Sequence, residues 1–99
     1  MVTANEWAKS DDAVVVQIHI NERGRGDGYD ISIYQSKSTK RFLVEARHVA
    51  TKQTTWWVCP SLKDATLAFR DGHVGYFGPG FRKRIKSFGH IKEAKSMKL

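Results

Sequence analysis

The residues that first suggest chemistry are the histidines. His19 and His48 fall on neighbouring hairpin segments, and Glu45 and Arg47 lie close to His48 in sequence. Together they supply a base, an acid and a cation, the types that acid–base cleavage of an RNA phosphodiester needs. The spacing works against that use. Strand alternation sets His48 on the face opposite Glu45 and Arg47, so a small ribonuclease ranks third among the functional readings. His73 and His90 complete the set of four, and Cys59 is the single cysteine. No H-x-x-x-H or Cys/His ligand spacing occurs, so neither a metal nor a cofactor is expected. A lone cysteine also excludes an internal disulfide and fits a reducing compartment. Neither phosphate-cradling glycine pattern, G-x-x-x-x-G-K-[ST] or G-x-G-x-x-G after a strand, is present. Arg25-Gly26-Asp27 spells an adhesion tripeptide, but in a hairpin connector Gly and Asp serve the backbone.

The stronger signal is cationic. The chain carries a formal charge of +7. Residues 82–99 hold seven Lys/Arg (Arg82, Lys83, Arg84, Lys86, Lys92, Lys95, Lys98) against Glu93 alone, a net of +6, leaving +1 for residues 1–81. A basic stripe on a neutral body is the electrostatic footprint of a polyanion binder. Read as a strand, FRKRIKSF places Arg82, Arg84 and Lys86 on one side, spaced roughly 6.5–7 Å apart, with Phe81 and Ile85 anchoring the other. That spacing is compatible with successive phosphates.

A second, aromatic surface is expected on the sheet. Trp56 and Trp57 are adjacent and must point to opposite faces. With Val14, Val16, Ile18, Ile31, Ile33, Phe42, Val44, Trp56 and Val58 assigned to the core, the other face shows Val15, Gln17, His19, Tyr34, Leu43, Arg47 and Trp57. Tyr34, Trp57 and Arg47 then make a stacking platform for unpaired bases, at about 1–3 kcal/mol per base. Cover by residues 74–99, a dimer contact, or the reverse parity of the two tryptophans would each remove it.

These residues need elements to hold them. Thr3-Ala4-Asn5-Glu6 has the T-x-x-E form of a capping box and opens a short turn carrying Trp7. AVVVQIHI (13–20), GYDISIYQ (28–35), RFLVEARHVA (41–50) and QTTWWVC (53–59) are β-prone and alternating. The first two are joined by the glycine-rich NERGRGDG. Ser61-Leu62-Lys63-Asp64 caps a helix over roughly 61–71, with Leu62, Ala65, Ala68 and Phe69 on its apolar stripe and Gly72 as its stop. Residues 89–99 read as a short C-terminal helix through Ile91, Ala94 and Met97 or Lys98. Phe88–Ala94 resembles the strand-to-helix junction of AP2-like DNA-binding domains, where a three-stranded sheet lies on the duplex. The likeness covers seven residues, the preceding sheet lacks that family's pattern, and no residue role is carried over.

The fold class is therefore α+β: an antiparallel sheet of three to five strands built from hairpins, with helix 61–71 packed on one face and a short C-terminal helix. At 99 residues the chain forms a single domain spanning 1–99, with the basic segment 81–99 integral to it. No run approaches the ~18 apolar residues of a membrane span, and the acidic start differs from a signal peptide, so a cytoplasmic protein is expected. The leading functional reading is a non-catalytic nucleic-acid-binding protein. Arg82, Lys83, Arg84 and Lys86 hold phosphates, Lys92 and Lys95 add field, and Tyr34, Trp57 and Arg47 stack bases. The alternative is a protein-interaction or adaptor module of phage or mobile-element type, either homodimeric or bound to a protein partner. There the open sheet edge meets the partner.

Overall fold

The computed structural model describes residues 2–19, 29–67 and 92–94. Helix α1 (Ala4–Ala8) is followed by strands β1 (Ala13–His19), β2 (Tyr29–Ser36), β3 (Phe42–His48) and β4 (Thr54–Cys59). Residues 62–67 form helix α2, and β5 (Lys92–Glu93) returns to the sheet. The four long strands are an antiparallel meander in the order β1-β2-β3-β4, with β5 added beside β4. With its two short helices this is a small α+β fold.

Both tight hairpin turns use one device. At the β2–β3 turn, Lys40 N–H donates to the Ser36 carbonyl (3.0 Å), Ser36 N–H to the Arg41 carbonyl (2.9 Å), and Thr39 N–H to Ser36 Oγ (3.2 Å). At the β3–β4 turn, Lys52 N–H donates to the His48 carbonyl (2.9 Å), His48 N–H to the Gln53 carbonyl (2.8 Å), and Thr51 N–H to His48 Nδ1 (3.1 Å). The threonine hydroxyls then accept from Arg41 N–H and Gln53 N–H, each at 3.3 Å. Lys40 and Lys52 both adopt positive φ, 63° and 62°. A left-handed residue closing the turn lets the next strand enter in register.

Register decides which residues meet. Ile31 pairs with Ala46, Ile33 with Val44, and Val44 with Trp57. This face, with Phe42, Cys59 and Ala65 of α2, forms one buried cluster. Tyr34 pairs with Leu43 and Leu43 with Val58, while Glu45 pairs with Trp56. Here the cover is α1: Ala4, Trp7, Leu43 and Trp56 form a second cluster, with Tyr34, Val58, Ala13 and Ala94 at its margin. Each fully buried large aliphatic is worth about 1.5–3 kcal/mol, so the two faces both contribute to stability.

Three expectations are corrected by these contacts. Trp57, not Trp56, joins the Ile31–Val44 face, because the β3–β4 turn pairs it with Val44. Val58 accompanies Trp56 to the opposite face. In β1, pairing steps from Val15↔Tyr34 to Gln17↔Ile33, a bulge that inserts Val16 and breaks the alternation. Val14, Val16 and Ile18 thus do not form a core stripe; they are exposed, as is Leu62 at the start of α2.

The two predicted caps are present. Thr3 Oγ1 accepts from Glu6 N–H at 3.1 Å. Ser61 Oγ accepts from Asp64 N–H (3.2 Å) and donates to Asp64 Oδ2 (2.9 Å). The continuation of the helix over 68–71 lies outside the described residues. Residues 92–94, assigned by sequence to a C-terminal helix, instead satisfy the β4 edge. Lys92 pairs with Val58, Glu93 with Trp57, and Ala94 N–H donates to the Trp56 carbonyl at 2.8 Å. An unpaired strand edge offers more hydrogen bonds to a passing segment than an isolated short helix makes alone. Among the described residues no helix is long and apolar enough to cross a membrane.

Candidate nucleic-acid interface

The aromatic surface is built, then closed. Tyr34 and Trp56 lie on one sheet face with ring centroids 5.9 Å apart, and Trp7 meets Tyr34 edge-on at 6.1 Å and 74°. Trp7 is held there by its indole N–H, which donates to Asp12 Oδ2 at 3.0 Å. Asp12 also receives Ser36 Oγ–H (2.6 Å) on Oδ2 and Ser38 N–H (2.9 Å) on Oδ1. These bonds, Ser36 and Trp7 foremost, hold the Asp12 carboxyl far below the usual carboxylate range. One aspartate therefore ties α1, the start of β1 and the β2–β3 turn into a single corner.

The residues assigned to base stacking separate. Trp57 is buried within the first cluster beside Val44, on the face opposite Tyr34, so it is not a platform residue. Tyr34 is half-buried under α1, and its hydroxyl is pushed to a higher pKa by burial and by the Glu45 charge. Arg47 remains half-exposed on the Tyr34 face, with its guanidinium 4.0 Å from Glu45 Oε1. Glu45 is buried; burial raises its carboxyl pKa, Arg47 opposes the rise, and Asp30 adds to it. Among the described residues, what this face exposes beside α1 is the Arg47 guanidinium, next to the buried Glu45 carboxylate, and not a row of rings.

Of the acid–base residues, His48 is separated from Glu45 and Arg47 by the sheet. His48 stacks edge-on with Tyr29 (5.0 Å, 87°) on the face opposite Glu45 and Arg47. His19 lies in β1, paired with Ile31 of β2, two strands from His48 in β3. No group of three or more His, Cys, Asp or Glu side chains among the described residues is arranged to hold a metal. The Cys59 thiol is buried, and its pKa is pushed up to about 12 by desolvation, with Asp64 adding to the rise, so it is not a nucleophile.

Of the basic segment, Lys92 is placed in β5 opposite Val58. Arg82, Lys83, Arg84, Lys86 and Lys95 lie outside the described residues, as do His73, His90 and the Arg25-Gly26-Asp27 connector. Two features were not recognised in the sequence: α1 as the lid over Tyr34 and Trp56, and Asp12 as its anchor. The signal for the first was present in the T-x-x-E cap followed by Trp7. No protein-family model, curated protein or solved structure matches the chain.

Proposed function

We propose that the protein is a small non-catalytic nucleic-acid-binding domain whose contacts are made by its C-terminal cations. The observation that carries this reading is the charge asymmetry: +6 of the net +7 falls in residues 82–99. Within that segment β5 is hydrogen-bonded to the sheet edge, which supports a cationic surface belonging to the domain. In this reading Arg82, Lys83, Arg84 and Lys86 contact phosphates, Lys92 and Lys95 strengthen the local potential, and Arg47 is an accessory cation. Ala65 of α2 joins the cluster on the Trp57 face, so the charged segment is taken as the recognition surface. Phosphate contacts of this kind position without selecting sequence.

Fluorescence anisotropy with labelled single-stranded and duplex oligonucleotides tests this. Each neutralised phosphate contributes about −0.9 to the slope of log K against log salt on duplex. Six contacts predict roughly a thousand-fold loss of affinity between 50 and 200 mM salt. The quadruple variant Arg82→Ala, Lys83→Ala, Arg84→Ala, Lys86→Ala should lower the slope by about 3–4. Absence of binding at 50 mM salt refutes the function. Equal binding by the quadruple variant refutes the residue assignment.

A further inference from the structure

We infer that β1 is a self-pairing edge, and that two copies of the chain join antiparallel through it across a two-fold axis. Among the described residues β1 stands at the end of the strand order, next to β2 alone. Among the described residues no strand takes up its outward carbonyls and N–H groups. Four of its seven residues expose large apolar side chains: Val14 41%, Val15 49%, Val16 44% and Ile18 58%. Exposed edges are usually blunted by lysine, proline, inward charge or a bulge. β1 contains no charged residue and no proline. Its one blunting feature is the bulge at Val16, which adds local twist.

The occupant follows from that chemistry. A strand without charge cannot select a foreign partner electrostatically. It can offer a backbone ladder and β-branched side chains, and the strand matching it in length and chemistry is its own copy. Antiparallel pairing about a two-fold makes the contact self-complementary and closed. A seven-residue strand is roughly 24 Å long, and a sheet edge is about 10 Å deep. That strip is well below the ~800 Å² per partner of a standard interface, so the dimer is concentration-dependent, with Kd on the order of micromolar or weaker. The inference does not depend on nucleic-acid binding and is tested without it.

Sedimentation equilibrium from about 5 to 500 µM protein should show mass rising from the 11.3 kDa monomer towards twice that value. Val16→Lys and Ile18→Lys should each raise Kd about 100-fold or more while leaving the circular dichroism spectrum unchanged, since both positions are exposed. Register is read by single cysteines at positions 14 to 18; the native Cys59 is buried and does not compete. Two-fold antiparallel pairing predicts disulfide-linked dimer at one or two adjacent positions near the axis and none at the others. Cross-linking at every position would indicate parallel pairing and overturn the inference. So would a wild-type chain that stays monomeric to 500 µM, or a dimer that survives both lysine substitutions.

Discussion

Trp7 tests whether a five-residue helix is a structural lid. An isolated helix of that length does not persist in water, so α1 exists because its apolar side is docked. Trp7 supplies most of that side. It is buried with Ala4, Leu43 and Trp56, meets Tyr34 edge-on, and is tethered through its N–H to Asp12. Removing a buried tryptophan side chain costs about 3–5 kcal/mol. The lower part of that range applies here, because α1 can detach once its main contact is gone, and the loss is then bounded by the docking energy of the helix. Trp7→Ala is therefore expected to cost about 3–4 kcal/mol, a large share of the roughly 5–15 kcal/mol available to a small domain. At 4–8 °C per kcal/mol, the melting temperature should fall by roughly 12–30 °C. Urea melts followed by far-ultraviolet circular dichroism measure it directly. Trp7→Phe keeps most of the ring contact and loses the Asp12 bond, and should fall between wild type and Trp7→Ala. A loss below about 1 kcal/mol for Trp7→Ala, the cost of an ordinary surface change, would mean that α1 does not cover Tyr34 and Trp56.

Two further outcomes follow from the same contacts. Asp12 ionises well below its unfolded value of about 3.9, so its contribution is complete above that value and fades as pH falls through it. The stability gap between wild type and Asp12→Asn should be constant from pH 5 to 7 and narrow below about pH 4 in thermal melts; a gap independent of pH would show that the carboxylate charge is not what holds the corner. Glu45 has a raised pKa and acts in the opposite sense, but it is common to both proteins and cancels in the difference. Cys59, buried and with its thiol pKa pushed up to about 12, should resist a thiol reagent at pH 8 in the native protein and react promptly in denaturant, and fast native labelling would contradict its place in the core.

The strands and caps were legible because local signals set them. Thr3 and Ser61 offer hydroxyls at the right spacing, and four β-branched, alternating segments can hardly be anything but strands. Facing was harder. Trp56 and Trp57 are equally apolar, so periodicity cannot say which belongs with Val44. The β3–β4 turn decides, and its chemistry was written in a repeated pair, Thr39-Lys40 and Thr51-Lys52, that becomes informative only when the positive φ at each lysine is known. In β1 a bulge at Val16 shifts the phase midway, and an unbroken run of β-branched residues hides it. β5 had the wrong grammar for a strand; the vacant edge of β4 overrides the weak helical spacing of Ile91 and Ala94.

The two edges of this sheet divide the chemistry between them. β1 is uncharged and apolar at one side, and β5 carries part of the basic segment at the other. Strands lie about 4.8 Å apart, so the two edges of one copy are roughly 19 Å from each other. Joining two copies through β1 would set their β5 strands nine intervals apart, roughly 43 Å. The screening length in physiological salt is about 8 Å, so charge centred at those strands would repel weakly across the dimer. Self-association through β1 leaves the β5 side of each copy outside the contact, as both proposals require. For that reason substitutions at Val16 or Ile18 should change mass without changing the salt slope of a single copy, and substitutions at Arg82–Lys86 should do the reverse.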